Sequence, residues 1–394
     1  MTERKKVLFI SPQPFFQWRG SPIRVGFNAQ ALAELGYEVD LLVLPIGDDK
    51  PIPGVRVIRV ANPFGVKNIP IGPSGHKAMF NALLFFKAFG LAFRNRYAVI
   101  HAVEEAGAFA WLIARLTGAR VIFEKHSDPA SHKASLLKNI VLAAYRQAEK
   151  VSIRCADAVI GTGEGLCEQA RKVAPRKPIH HIFDIPSSLA EPEPARVKKI
   201  RAELLKHPAE TIVMYVGSFA VYQGIDLMFD SMIDVLARHP RTRFVVIGGT
   251  EEEIAQRKDW LRVRRIETSV TFVGKIPPDD LPNHLAAADI LLSPRIAGIN
   301  TPLKLLDYLK VGHAIVATDN PANRRILSDA VAVMVDPRAT VFADAIGRLI
   351  GDEDVREQMG ERGRRLVAEL YNFGEFKKRL GACYEDVMSC SRRT

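Results

Sequence analysis

An alternation limits what this chain can fold into more than any single motif does. Short apolar runs of strand length take turns with helix-length patterns, and the series breaks off once and then restarts. The first series predicts strands at 6–11, 38–44, 55–60, 98–103, 120–124, 158–161 and 178–183, with helices including 23–35, 106–116 and 136–155. Strands that need a helix between them pair in parallel, which predicts a sheet covered by helices on both faces. "PSSLAEPEPARVKK" (186–199) has no periodicity and reads as a linker. Beyond it, strands are expected at 212–216, 243–247, 270–273, 290–293, 314–317 and 331–335. Helices are expected at 225–237, 251–266, 279–287, 302–311 and 322–327, and again at 353–370 and 374–388. With 394 residues, two cores are the expectation. The fold class is therefore α/β, with two Rossmann-like doubly wound parallel-sheet domains (1–188 and 189–373) facing across a cleft. The terminal helix, 374–394, is expected to pack back on the first domain. Ligands of such sheets bind at the carboxyl ends of the strands.

Bulk properties remove other classes. Hydrophobic residues make up 47% and charged residues 25%, which excludes a largely disordered chain. The apolar run at 7–10 is too short for a signal peptide, and no stretch of 18 apolar residues predicts a membrane span. Cys155, Cys167, Cys383 and Cys390 lack zinc-finger or CxxC spacing, so no metal or disulfide framework is expected and a reducing cytoplasm fits. A net charge of +11 asks for an anionic partner without saying which.

"GINTPLKLLDYLKVGHAIVATD" (298–319) carries the sharpest local signal. Thr301 suits a helix N-cap and Pro302 the first helical position, which puts Lys304 at the third. A cation there opposes the helix dipole by about 0.3–1 kcal/mol. A bound anion would offset that, whereas a solvated lysine is the plain alternative. Asp307, three residues on, shares its face and is suited to ribose hydroxyls; a surface Lys–Asp pair is the other reading.

Gly217 and Gly224 bound a strand-to-helix loop through which backbone amides can approach a pyrophosphate. Arg19, Gly20, Ser21 and Arg24 give the loop at 18–24 a partly cationic lip, facing a donor phosphate or an anionic acceptor. "VIFEKHSDP" places His126, Ser127 and Asp128 just past a buried strand, and "VIHAVEEAG" does so for His101, Glu104 and Glu105. A lone histidine in such a place is more often structural than catalytic.

The segment 76–97 combines five phenylalanines with Lys77, Lys87, Arg94 and Arg96, and reads either as a core helix or as one lying in a membrane interface. "GTGEGL" at 161–166 lacks the third glycine of a dinucleotide fingerprint, and "DED" at 352–354 is better explained as a helix start than as a metal site.

Over essentially its whole length the chain resembles family 4 of the retaining glycosyltransferases, of GT-B fold. "TPLKLLDYLKVGHAIVATDNPANRRIL" is similar to that family's S/T-P-x-K-x-x-E-Y-x-x-x-G-x-x-V-x-A-T-D segment. "VGSFAVYQGIDLM", "FVGKIPPDDLPNHLAAADILLSPR" and "AQALAELGYEVDLL" stand in the family's order. The resemblance implies transfer of a sugar from a nucleotide-diphosphate sugar to a glycan or lipid-linked acceptor, in cell-surface polysaccharide or lipid-linked glycan synthesis. It implies no metal or other cofactor.

Asp307 then stands at the second acid of the E-x7-E motif, which holds the ribose, while the first acid falls at Ile299. The family's G-R-x-x-x-x-K-G loop reads Gly217-Ser218-Phe219-Ala220-Val221-Tyr222-Gln223-Gly224, without either cation. Lys304 and Arg295 are the expected substitutes at the diphosphate, and His126 matches the histidine near sugar and acceptor. Two alternatives stay open: a nucleotide-sugar epimerase of the other GT-B type, or a non-catalytic nucleotide-sugar-binding protein. Peripheral contact with the inner membrane surface is open as well, and nucleic acid is not expected as a partner.

Overall fold

The structure is a computed structural model that describes residues 5–16, 20–48, 50–67, 69, 75–127, 136–297 and 302–389. The chain divides into two compact units, Met1–Asp184 with Phe373–Thr394, and Ile185–Asn372.

In the first unit the elements run β1 (Lys6–Ser11), α1 (Gly20–Glu34), β2 (Glu38–Val43), β3 (Val55–Arg59), α2 (Gly75–Arg94), β4 (Val99–Val103) and α3 (Gly107–Thr117). They continue as β5 (Arg120–Lys125), α4 (Leu136–Cys155), β6 (Ala158–Gly161), α5 (Glu164–Val173) and β7 (Ile179–His181). The sheet has the order β3-β2-β1-β4-β5-β6-β7, with every pair parallel. β1 reads as an unbroken apolar run at 7–10, and β4 as one interrupted only by the buried His101, because both their faces are covered. Phe80, Leu84, Ala88 and Ala92 of α2 recur every four residues and fill the core against β1 and α3.

The second unit runs α6 (Pro194–Leu204), β8 (Thr211–Val216), α7 (Ile225–Arg238), β9 (Thr242–Ile247), α8 (Glu251–Val263), β10 (Val270–Gly274), α9 (Leu281–Ala286) and β11 (Ile290–Ser293). It ends with α10 (Lys304–Val311), β12 (Ala314–Thr318), β13 (Val333–Val335), α11 (Ala339–Gly351) and α12 (Glu353–Leu370). Its parallel sheet has the order β10-β9-β8-β11-β12-β13. The final helix, α13 (Phe373–Ser389), returns to the first unit and packs on α1.

Several expectations need correction. The second half of the supposed linker is helical: α6 starts at Pro194 and buries Ile200 and Leu204. A full helix over 322–327 does not form: only a 3-10 turn, Asn323–Arg325, is present, and the Asn320 side chain accepts from the amides of Ala322 and Asn323 at its start. α10 starts at Lys304, so this lysine is the first helical residue and not the third; Thr301 lies outside the described residues. Asp352 does cap a helix, its side chain accepting from the Val355 amide at 3.0 Å.

Candidate active site

In the second unit the strand order reverses between β8 and β11, and the loops that leave those two strands meet there. Tyr308 of α10 fixes their spacing: its hydroxyl takes the Val216 amide at 3.0 Å and donates to the Leu292 carbonyl at 3.3 Å. After β8 the chain passes Gly217 and an exposed Ser218, makes a 3-10 turn over Val221–Gln223, and enters α7 through Gly224. Gly224 sits at φ 70°, and a Cβ there would lie 1.9 Å from the Pro294 carbonyl oxygen, so only glycine lets the two loops close together. The Tyr222 carbonyl then accepts from the amides of Ile296 and Ala297, at 3.0 and 3.3 Å.

Two cations converge on this junction. The Lys304 ammonium lies 3.3 Å from Gln223 Oε1 and 4.2 Å from the centre of the Tyr215 ring. A Cβ at Gly217 would stand 3.5 Å from it, which places the ammonium against the bare backbone of the loop. Arg295 is buried, with its guanidinium 5.3 Å from the Tyr222 ring and Nε donating to the Ala297 carbonyl at 2.8 Å. Thr318 and Asn320 hold the Arg295 carbonyl. Among the described residues no carboxylate stands within ion-pair distance of either cation. Burial, with Arg295 adding to it, lowers Lys304 to about 7, and burial lowers Arg295 as well.

Asp307 points elsewhere. Its two oxygens accept from the Ser187 amide (2.6 Å) and hydroxyl (2.8 Å), and burial raises its carboxyl to about 6 in spite of those bonds. The carboxylate anchors the segment before α6, as does Lys310, which donates to the carbonyls of Ser188 and Ala190. The alternative of a Lys304–Asp307 surface pair is not formed, since the two side chains have different partners; Ile299 lies outside the described residues.

In the first unit Arg24 does not contribute to the expected cationic lip. Arg24 is buried and its charge is consumed inside: Nε donates to Glu124 at 2.5 Å, one Nη to Asp184 at 3.0 Å and the other to the Ile182 carbonyl at 2.7 Å. Gly20 and Ser21 form the first turn of α1, and Arg19 lies outside the described residues. Glu124 also takes Asn28 (2.8 Å) and His101 (3.0 Å), and His101 reaches the Tyr384 hydroxyl on α13 at 2.9 Å. Burial pushes the Glu124 carboxyl up, but Arg24, His126 and His101 outweigh it and hold the group well below the usual range.

His126 follows β5 with its Nε2 3.2 Å from Glu124 Oε1. That contact lacks hydrogen-bond alignment, so both buried ring nitrogens are without a hydrogen bond among the described residues. Glu104, at φ 50°, holds the His126 loop by accepting from the His126 amide at 2.8 Å and from the Ser127 hydroxyl at 3.2 Å. Glu105 pairs with Lys77. Asp128 lies outside the described residues.

Sequence reasoning missed Tyr215 and Gly248, although the "GG" after β9 is a legible signal. A Cβ at Gly248 would come 2.1 Å from the Gly217 carbonyl oxygen, so the strand ends of β8 and β9 touch backbone to backbone. No cluster of three or more metal-ligating side chains occurs among the described residues.

Comparison with known proteins agrees with this architecture. The family model "Glycosyl transferases group 1" matches residues 196–366, and "Glycosyl transferase 4-like domain" matches residues 19–182. Alpha-D-kanosaminyltransferase of Streptomyces kanamyceticus is 23% identical over 72% of this chain and 74% of its own. Sucrose-phosphate synthase from Thermosynechococcus elongatus superposes with a TM-score of 0.78 at 23% identity, over 98% of this chain and 100% of that one. HepE of Anabaena, solved in complex with UDP, superposes with a TM-score of 0.73 at 14% identity, over 97% and 100%. With two α/β domains of parallel sheet and a family match in each, the chain belongs to the family 4-like glycosyltransferases of GT-B type.

Proposed function

We propose that the protein transfers a sugar from a nucleoside-diphosphate sugar to an acceptor hydroxyl with retention of configuration, and that Lys304 and Arg295 hold the donor diphosphate. The observation that carries this reading is the pair of cations at the β8/β11 junction, facing glycine backbone and paired with no carboxylate among the described residues. Keeping two such charges side by side costs the free protein energy, which a bound dianion offsets. In the reaction the bond from the anomeric carbon to the diphosphate oxygen breaks with its electron pair staying on that oxygen, while the acceptor hydroxyl oxygen bonds to the anomeric carbon and its proton passes to the departing diphosphate. Fixed cations stabilise the developing charge there without having to reorganise. UDP in the HepE complex supports a nucleotide as the ligand class.

We assign the acceptor to the first domain, where His126 stands at the carboxyl end of β5. Cell-surface or lipid-linked glycan synthesis in the cytoplasm is the setting proposed, in keeping with the free Cys155, Cys167 and Cys383. The test is a panel of nucleotide sugars incubated with and without candidate acceptors. Nucleoside diphosphate release that depends on an acceptor, with the product anomer read by NMR, supports the reading. Donor binding without any release would replace it with a nucleotide-sugar-binding role, and an inverted anomer would remove the retaining assignment.

A further inference from the structure

The structure decides what the phenylalanines of α2 do, and the answer is divided. Phe80 is fully buried, while Phe86, Phe89 and Phe93 are 68%, 37% and 56% exposed. At about 100° per residue these three fall within roughly a sixth of the helix circumference, with Lys87 and Arg94 along one edge of the stripe. The Phe89 and Phe93 rings lie 4.5 Å apart. α3 extends the apolar surface: Phe109 meets Phe85 of α2 edge-on at 5.6 Å, and Leu112 and Leu116, on the same side of α3 as Phe109, are 39% and 55% exposed. Five large apolar side chains exposed on two neighbouring helices form a patch that solvation alone does not account for.

Charge identifies the occupant. The 20 residues of α2 and the 11 of α3 contain no aspartate or glutamate. Lys87, Arg94, Arg96 and Arg115 are exposed, with no carboxylate in ion-pair distance among the described residues. A second copy docked through the same face would bring basic surface against basic surface. A single-stranded nucleic acid needs a basic channel that tracks its backbone, whereas these cations border one stripe. Apolar rings flanked by long cationic side chains, without an acid between them, suit the headgroup–acyl boundary of an anionic bilayer: the rings enter it while lysine and arginine reach back to the phosphates. We infer that the outer face of α2 and α3 is a docking surface for an anionic lipid membrane. This reading is independent of the diphosphate site.

Sedimentation of the full chain with vesicles of phosphatidylcholine alone, or mixed with phosphatidylglycerol, tests it. Partitioning should be at least about tenfold stronger on the anionic vesicles and should weaken with salt. Phe86→Ser, Phe89→Ser and Phe93→Ser combined should lower it at least about tenfold. Donor turnover in solution should stay unchanged, since no residue of the diphosphate site is altered. Because the three positions are exposed, serine should leave the thermal transition in place. Lys87→Glu with Arg94→Glu provides a second variant that keeps the rings and should lose the preference for anionic lipid. Phe93→Trp should be quenched by brominated acyl chains when vesicles are added. Equal binding to both vesicle types, retained binding by the triple variant, absence of quenching, a concentration-dependent dimer abolished by the serines, or RNA binding at this face would each overturn the inference.

Discussion

Lys304→Met removes the ammonium and keeps an unbranched apolar chain in its place, which makes it the most informative perturbation of this site. In the free protein the lysine is lowered from 10.5 to about 7. The folded state therefore binds fewer protons than the unfolded chain between about pH 7 and 10.5, and stability rises with pH across that window. At about 1.4 kcal/mol per unit the shift corresponds to at most about 5 kcal/mol, and partial exposure of the side chain reduces the expected gain in the Met variant at neutral pH to about 1–2 kcal/mol. For a unit of this size that is a rise of about 2–4 °C per kcal/mol in the transition of the second domain. Function should move the other way. Loss of one preorganised charge at a developing oxyanion lowers turnover by about 10²–10³-fold. Diphosphate binding restores the proton, so the affinity of the wild type should fall about tenfold per pH unit above 7. The assay is titration calorimetry of UDP, GDP and ADP between pH 6 and 9 in buffers of different ionisation enthalpy, using whichever nucleotide binds best. An unchanged dissociation constant and pH slope in the Met variant, together with unchanged turnover, would refute the assignment of Lys304 to the diphosphate.

Three further outcomes are expected. Gly224→Ala places a Cβ on the Pro294 carbonyl at a left-handed φ, so it should destabilise the protein by at least about 2–3 kcal/mol in urea unfolding and abolish donor binding. Asp307→Asn discriminates between two uses of that carboxylate: weaker UDP binding with unchanged pyrophosphate binding means ribose recognition, whereas equal loss of both means that the Ser187 anchor is what matters. Glu124→Gln leaves Arg24 with only Asp184 as an anionic partner and should cost about 3–5 kcal/mol. Because Glu124 is held well below its ordinary value, its stabilisation is present above about pH 4.5 and lost as pH falls further, and acid unfolding of the Gln variant should lose that component.

What was legible in the sequence follows from where each signal arises. Central strands such as β6 and β11 are buried on both faces, so their apolar runs define their ends to the residue. Short edge strands carry less information: β13 starts at Val333, two residues after the apolar run that suggested it. Lys304, Arg295, Gly217 and Gly224 were visible because they sit at fixed offsets from strand ends and helix starts. Arg24 was misread as a surface cation because its partners Glu124 and Asp184 lie 100 and 160 residues away, and no local pattern reports a pairing at that separation. Glu104 was noticed only as one of a polar pair; its left-handed backbone and its grip on the His126 loop emerge from the meeting of β4 and β5.

The same separation between local and long-range signals bears on the two cations missing at Ser218 and Gln223. Arginine stays charged at any working pH, so Arg295 would serve the proposed diphosphate as a permanent cation even though burial lowers it. Lys304 is different: poised near 7, it can shed its proton when the site is empty and so avoid much of the cost of a second buried charge beside Arg295. Gln223, at the position where the family's loop carries lysine, offers Oε1 to the Lys304 ammonium and thereby holds the group proposed to replace it. If Lys304 holds the diphosphate as proposed, the arriving ligand would draw a proton onto it and the leaving product would return it. On the proposed function, a clamp of one fixed and one conditional cation would hold every diphosphate-bound state, the product included, less tightly than two fixed cations by the cost of protonating Lys304 above about pH 7, which would favour release after transfer.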